Sequence, residues 1–123
     1  MPRTLRSVSV AFAVALAALL AACAPTASEP MTVDAATVII DVRTPAEYAA
    51  GHLEGAVNLD VQSGAFDAAI AELPTDGDYI VYCRSGNRAA TAAAEMARSG
   101  FTQVRNAGGL DAAASATGLP IVQ

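Results

Sequence analysis

Cys83 follows a strongly apolar segment and precedes two closely spaced arginines. Residues 79–83 are Tyr-Ile-Val-Tyr-Cys, and an alanine-rich stretch begins at Ala89. The residues between them are Arg84, Ser85, Gly86, Asn87 and Arg88. Neighbouring arginines favour the thiolate, which is the nucleophilic form of a cysteine side chain. The residue types and their spacing therefore predict nucleophilic catalysis by the Cys83 sulfur on an anionic substrate.

This chemistry requires a loop that joins a strand to a helix. In open parallel sheets, ligands bind outside the carboxyl ends of the strands. A tight loop there directs backbone N–H groups toward one point, and the following helix adds a partial positive charge. Gly86 permits the backbone angles that such a loop needs. We therefore predict Cys83 as the catalytic residue and residues 84–88 as the substrate-binding loop. The alternative is a small, buried strand-end cysteine beside solvated arginines.

Strand and helix patterns alternate around this loop. Compact runs rich in β-branched or aromatic residues predict strands at 37–42, 56–59, 79–82 and 101–106. Capping residues and apolar periodicity predict four helices. The first begins after Thr44, and the others cover residues 63–73, 88–98 and 112–117. This alternation favours an α/β fold with a parallel sheet of about five strands and helices on both faces.

The composition excludes some classes of function. The chain has 123 residues, seven arginines, no lysine and twelve acidic residues, with a net charge of −5. An acidic chain lacks the basic footprint of a nucleic-acid-binding protein. Two cysteines and one histidine are too few for an ordinary zinc site. We expect neither a metal nor a nucleic-acid partner.

The first residues resemble an export signal. Arg3 and Arg6 precede an apolar run from Val8 to Ala22, which is shorter than the roughly 20 residues that span a bilayer. Residues 20–23, Leu-Ala-Ala-Cys, resemble a bacterial lipoprotein box that is cut before the cysteine. The alternative is ordinary cleavage after Ala24.

Three segments follow from this interpretation: a lipoprotein signal peptide at 1–22, a lipidated tether at 23–30 and a folded domain at 31–123. Cys23 would carry the lipid and hold the protein outside the cytoplasm, on the bacterial cell membrane or the outer membrane. The processed chain would have five arginines, twelve acidic residues and a net charge of −7. Cys83 would be its single free thiol, which is unusual in an oxidising compartment.

Four blocks of the sequence follow one another over about residues 31–122. They are Ile40–Tyr48, Gly51–Asn58, Tyr82–Ala89 and a terminal block with Gly100–Val104, Gly108-Gly109 and Gly118–Ile121. Together they make the chain similar to a single-domain rhodanese. Glu54 stands where proline is common in that family, and Ala113 lies where a tryptophan is usual.

The resemblance implies a sulfurtransferase without a cofactor. Cys83 would take the outer sulfur of a small anionic donor such as thiosulfate, and a thiol or cyanide would then remove it. Arg84 would bind the sulfonate end of the donor, and Arg88 would either bind substrate or hold the loop through Asp41.

Four further residues are expected to support the structure. Asp41 would pair with an arginine, and Glu47 would belong to a capping box. Arg43 would pair with Glu47 or point to water. His52 would be structural rather than a general base.

Three alternatives come from other classes of function. Related cysteine phosphatases and arsenate reductases have a seven-residue Cys-x5-Arg loop, whereas residues 83–88 form a six-residue Cys-x4-Arg loop. A non-enzymatic tethered binding module would predict loss of the cysteine. A thiol–disulfide oxidoreductase would need a resolving cysteine near Cys83.

Overall fold

The computed structural model describes residues 29–123, which fold into alternating strands and helices. Six strands and four helices follow one another along the chain. They are β1 (Thr37–Asp41), α1 (Pro45–Ala50), β2 (His52–Leu53), β3 (Val57–Asn58), α2 (Phe66–Ala71), β4 (Asp78–Cys83), α3 (Asn87–Arg98), β5 (Gln103–Gly109), α4 (Leu110–Thr117) and β6 (Ile121–Val122).

The main sheet is parallel and has four strands in the order β3-β1-β4-β5. The sequence predicted about five strands. The remaining strands, β2 and β6, pair with each other in a separate antiparallel ribbon. In the main sheet Asp41 lies beside Tyr82, and Cys83 lies beside Gly109. Cys83, the predicted nucleophile, therefore lies at the carboxyl end of a central strand, beside the carboxyl end of β1.

Helices cover both faces of the sheet, as the sequence predicted. On one face, α2 and α3 contribute Phe66, Ile70 and Met96 to a cluster with buried side chains of β1 and β4. On the other face, Ala113 of α4 packs in a second cluster with Leu53 and with further sheet residues. Because both faces are covered, β4 can be almost wholly buried, in agreement with its apolar sequence.

The beginning of α1 is confirmed, whereas the predicted beginning of α2 is wrong. The Thr44 side chain accepts a hydrogen bond from the Glu47 N–H, and Glu47 reaches back to Thr44, which makes a complete capping box. Ser63 does not cap α2, which follows Ala65 and has no side-chain cap. The Ser63 hydroxyl instead donates to the Asp60 carbonyl oxygen and accepts from the Ala65 N–H, so it stabilises a turn.

The signal peptide at 1–22, Cys23 and most of the predicted tether lie outside the described residues. Within the described part of the chain, no helix is both long and apolar enough to cross a membrane. The same part contains no group of three or more His, Cys, Asp or Glu side chains that could hold a metal ion.

Candidate active site

Cys83 is the last residue of β4, and its side chain is fully buried. The backbone N–H of Gly86 donates a hydrogen bond to Cys83 Sγ, with a nitrogen-to-sulfur distance of 2.8 Å. Gly86 has a φ of 100° and directly precedes α3, so the chain turns from strand to helix within three residues. The sequence predicted this strand–loop–helix arrangement, and the structure places one loop N–H group on the sulfur.

The end of strand β5 packs closely against the backbone of the cysteine loop at residues 84–88. A Cβ atom added to Gly109 would lie inside van der Waals contact with the Arg84 carbonyl oxygen. The Asn106 side-chain amide donates to the Gly86 carbonyl oxygen at 3.4 Å, while its oxygen accepts from the Gly108 N–H at 2.8 Å. Residues 106–109 therefore form a support that follows the backbone of the loop closely. Sequence reasoning gave Gly109 no role in the site, although the Gly-Gly pair signalled a close approach.

Arg88 forms an ion pair with Glu47. Its two terminal nitrogens donate to the two carboxylate oxygens at 2.7 and 2.9 Å. The Arg88 guanidinium is the main reason that the pKa of Glu47 falls to about 2, and the pKa of Arg88 is raised in return. The predicted contact of Arg88 with Asp41 is wrong. Since Glu47 belongs to α1 and Arg88 to α3, the pair joins two helices beside the loop.

Asp41 pairs instead with Arg43, two residues along the chain. Arg43 Nη2 lies 2.7 Å from Asp41 Oδ2, and both side chains are almost completely buried. The Tyr82 hydroxyl donates to the same carboxylate at 2.8 Å. The hydrogen bond with Asp41 raises the pKa of Arg43, and burial raises that of Tyr82. An arginine partner for Asp41 was expected, but the predictions that Arg43 meets Glu47 or water are wrong.

His52 makes local contacts on β2. Its ring is stacked on the Tyr48 ring with centroids 3.7 Å apart, and Nδ1 lies 2.9 Å from the Tyr48 carbonyl oxygen. It has no hydrogen bond with the loop at 84–88 in the described structure. This environment agrees with the structural interpretation of His52.

A cleft of about 440 Å³ lies beside the loop. Arg84 is exposed and lines it, whereas Cys83 and residues 85–87 do not. The structure thus brings Arg84, Arg43 and Glu47 to one cavity, whereas Arg88 is bound to Glu47 and does not line it. Sequence reasoning missed Asp111, because the last helix was predicted to begin at Ala112, two residues after its actual start at Leu110. The lining residues are Arg43, Glu47, Ala50, Arg84, Leu110 and Asp111.

The fold and the cysteine loop match a known class of domain. The sequence matches the rhodanese-like domain family over residues 25–116. This chain therefore belongs to the rhodanese-like domain family.

Among curated proteins, the chain is similar to a sulfurtransferase from Allochromatium vinosum, with 38% identity over 85 residues, 69% of this chain and 78% of the relative. It is 38% identical to the thiosulfate sulfurtransferase PspE of Escherichia coli over 58% of this chain and 68% of that protein. With the thiosulfate sulfurtransferase GlpE of Pseudomonas entomophila it shares 42% identity over 54% of this chain and 60% of the relative.

Solved structures give the same fold. A rhodanese with anions from E. coli superposes with a TM-score of 0.61 at 32% identity, over 72% of this chain and 99% of that one. A rhodanese-like domain from Anabaena sp superposes with a TM-score of 0.62 at 30% identity, over 72% of this chain and all of that domain. The α/β rhodanese-like fold that the sequence predicted is confirmed.

Proposed function

We propose that this protein is a sulfurtransferase that carries sulfur on Cys83, from thiosulfate or a similar donor to a thiol or cyanide. The observation that carries the proposal is the Gly86 N–H group on Cys83 Sγ at the start of α3. A backbone donor at a helix N-terminus stabilises negative charge on a sulfur atom. The same group would stabilise the terminal charge of a persulfide.

The two loop arginines would have different tasks. Arg84 lines the cleft, and its side chain has no hydrogen bond or ion pair within residues 29–123, so its guanidinium is available for the sulfonate end of a donor. Arg88 is held by Glu47 through two hydrogen bonds. We therefore place donor binding on Arg84 and the positioning of the helix on Arg88.

In the first step, the Cys83 thiolate attacks the outer sulfur of thiosulfate. A sulfur–sulfur bond forms at Sγ, the bond in thiosulfate breaks, and sulfite leaves with the electron pair of that bond. In the second step, a thiolate or cyanide attacks the outer sulfur of the Cys83 persulfide. The electron pair returns to Sγ, so the thiolate is restored and neither step needs another oxidant or reductant.

Intact-mass measurement tests this proposal. We expect wild-type protein treated with thiosulfate to gain one sulfur atom and to lose it on addition of cyanide. Cys83→Ser should gain none and should have no sulfur-transfer activity. Wild-type protein that gains no sulfur would refute the proposal and favour a binding module, and phosphate-ester turnover faster than sulfur transfer would refute it in favour of a phosphatase.

We also propose that Cys23 carries a lipid anchor. The support is the Leu-Ala-Ala-Cys sequence at 20–23, after an apolar run with two preceding arginines. Growth with a labelled fatty acid should label the wild-type protein but not Cys23→Ser. Cys83→Ser is the matched control and should keep the label, whereas label on Cys23→Ser would refute the anchor.

A further inference from the structure

The cleft beside Arg84 contains four charged side chains, and two of them are already paired. Arg43 is bound to Asp41 at 2.7 Å, and Glu47 is bound to Arg88 at 2.7 Å. Each of these pairs is internally neutral and held by more than one hydrogen bond. The two ion pairs therefore form part of the cleft wall and add little net charge to it.

The other two charged side chains in the cleft are Arg84 and Asp111. Both are exposed, and within residues 29–123 neither has a hydrogen bond or an ion pair with another side chain, including each other. The cleft thus has one available cation and one available anion on its walls. Ala50 and Leu110 supply an apolar surface in the same cavity.

A ligand that matches this cavity carries one negative group, one positive group and an apolar part. Thiosulfate matches only the Arg84 side, since it is a dianion and Asp111 would repel it. A thiol that bears both a carboxylate and an ammonium group would match both sides. We infer that Asp111 is a specificity-determining residue that selects zwitterionic amino-acid thiols as sulfur acceptors. The inference rests on the proposed function, because it concerns the second half of that reaction.

The transfer step would then proceed with the acceptor held at both ends. Its carboxylate would meet Arg84 and its ammonium group would meet Asp111. The acceptor thiol loses its proton to water, and its sulfur attacks the outer sulfur of the Cys83 persulfide. The bond between that sulfur and Sγ breaks, and its electron pair restores the Cys83 thiolate. The product is the persulfide of the amino-acid thiol.

The test compares cysteine with N-acetylcysteine as acceptors, with thiosulfate as donor. The two thiols share the carboxylate, but N-acetylation removes the ammonium charge. We measure the ratio of their kcat/KM values for wild type and for Asp111→Asn. Any intrinsic difference in thiol reactivity is the same for both enzymes, so it cancels when the two ratios are compared. We expect Asp111→Asn to lower the preference for cysteine by about threefold to fivefold.

Asp67→Asn is the matched control. Asp67 occupies the first turn of α2 as Asp111 occupies the first turn of α4, but it does not line the cleft. Its replacement removes the same charge from a helix N-terminus and should leave the preference unchanged. An unchanged preference in Asp111→Asn, while wild type still forms the persulfide, would overturn this inference alone. A wild-type protein that forms no persulfide would overturn the proposed function and this inference with it.

Discussion

At the residue scale, the structure separates the roles of two loop arginines more sharply than the sequence did, since the role of Arg88 had stayed open. Arg84 and Arg88 lie within the same six-residue loop, and both carry the same charge. The difference lies in a partner 41 positions away, because Glu47 holds Arg88 and leaves Arg84 exposed in the cleft. Local sequence contains no information about which of two arginines meets a distant carboxylate.

This difference predicts the effect of Arg84→Gln. Loss of a charge-assisted contact to the donor should lower kcat/KM for thiosulfate by about tenfold, mainly through a higher KM. Steady-state kinetics at fixed cyanide concentration measures it. Arg98→Gln, at the far end of α3, removes the same charge from an exposed position and should have little effect. An equal loss in both variants would indicate a general effect of charge instead of a donor contact.

At the element scale, the Glu47–Arg88 pair joins α1 to α3. The pKa of Glu47 falls from 4.5 to about 2, mainly because of the hydrogen bonds from Arg88 and to a lesser extent because of those from Thr44, so folding stabilises its ionised form. The stabilisation is complete above about pH 5 and is lost as the pH falls toward 2. Below that range Glu47 is protonated in both states, and the pair contributes nothing.

Glu47→Gln removes the charge and keeps a side chain that can complete the capping box. We expect it to lower the free energy of unfolding by about 1 kcal/mol at pH 7, since the pair is partly exposed. The difference from wild type should shrink as the pH approaches 2. Urea unfolding at several pH values measures it, with Glu54→Gln as the exposed, unpaired control in the described structure. A difference that stays constant with pH would contradict the assignment to the ion pair.

The second element-scale feature is the close contact between β5 and the cysteine loop. Gly109 has a φ of −81°, which any residue can adopt. Glycine is required at this position because a Cβ atom would collide with the neighbouring Arg84 carbonyl oxygen. We expect Gly109→Ala to displace the loop and to lower sulfur transfer at least about tenfold, because small displacements of a site have large effects on rate. Activity within twofold of wild type would show that the loop can move without loss of function.

Gly55→Ala is the comparison for that variant. Gly55 has a φ of 79°, but an added Cβ would meet no atom within 4 Å. This substitution should cost about 1–2 kcal/mol of stability through backbone strain and leave the activity of the folded protein intact. The pair of variants separates loss of stability from displacement of the site.

At the scale of the whole molecule, the sequence predicted the strands, helices and their packing on both faces of the sheet better than the contacts between side chains of different elements. The apolar run at 79–82 and the capping box at Thr44 depend on neighbours within a few residues, and both were predicted correctly. The pairings of Arg43 and Arg88 depend on how elements meet in space, and their predicted partners were wrong. The separate β2–β6 ribbon joins segments about seventy positions apart and left no local signal.

The described chain enters the sheet at the end opposite the cysteine loop. The first described residues lead into β1 at the end of the sheet where Thr37 lies beside Asp78, and Arg105 holds this end through the Asp78 carboxylate and the Thr32 carbonyl. Cys83 lies at the opposite end of the six-residue strand β4. At about 3.3 Å per residue, the two ends are roughly 17 Å apart along the strand.

If the proposed anchor on Cys23 holds this protein on a membrane, the described chain enters the sheet from the end opposite the cysteine loop. The roughly 17 Å between the two ends of β4 exceeds the Debye length of about 10 Å at 0.1 M salt, so we expect lipid charge near the entry end to be screened at the site. We expect the lipidated protein to have the same kcat/KM for thiosulfate, within about twofold, on neutral vesicles, on vesicles with anionic lipid, and in solution as Cys23→Ser. A decrease of several fold on anionic vesicles alone would place the site next to the membrane and contradict this orientation.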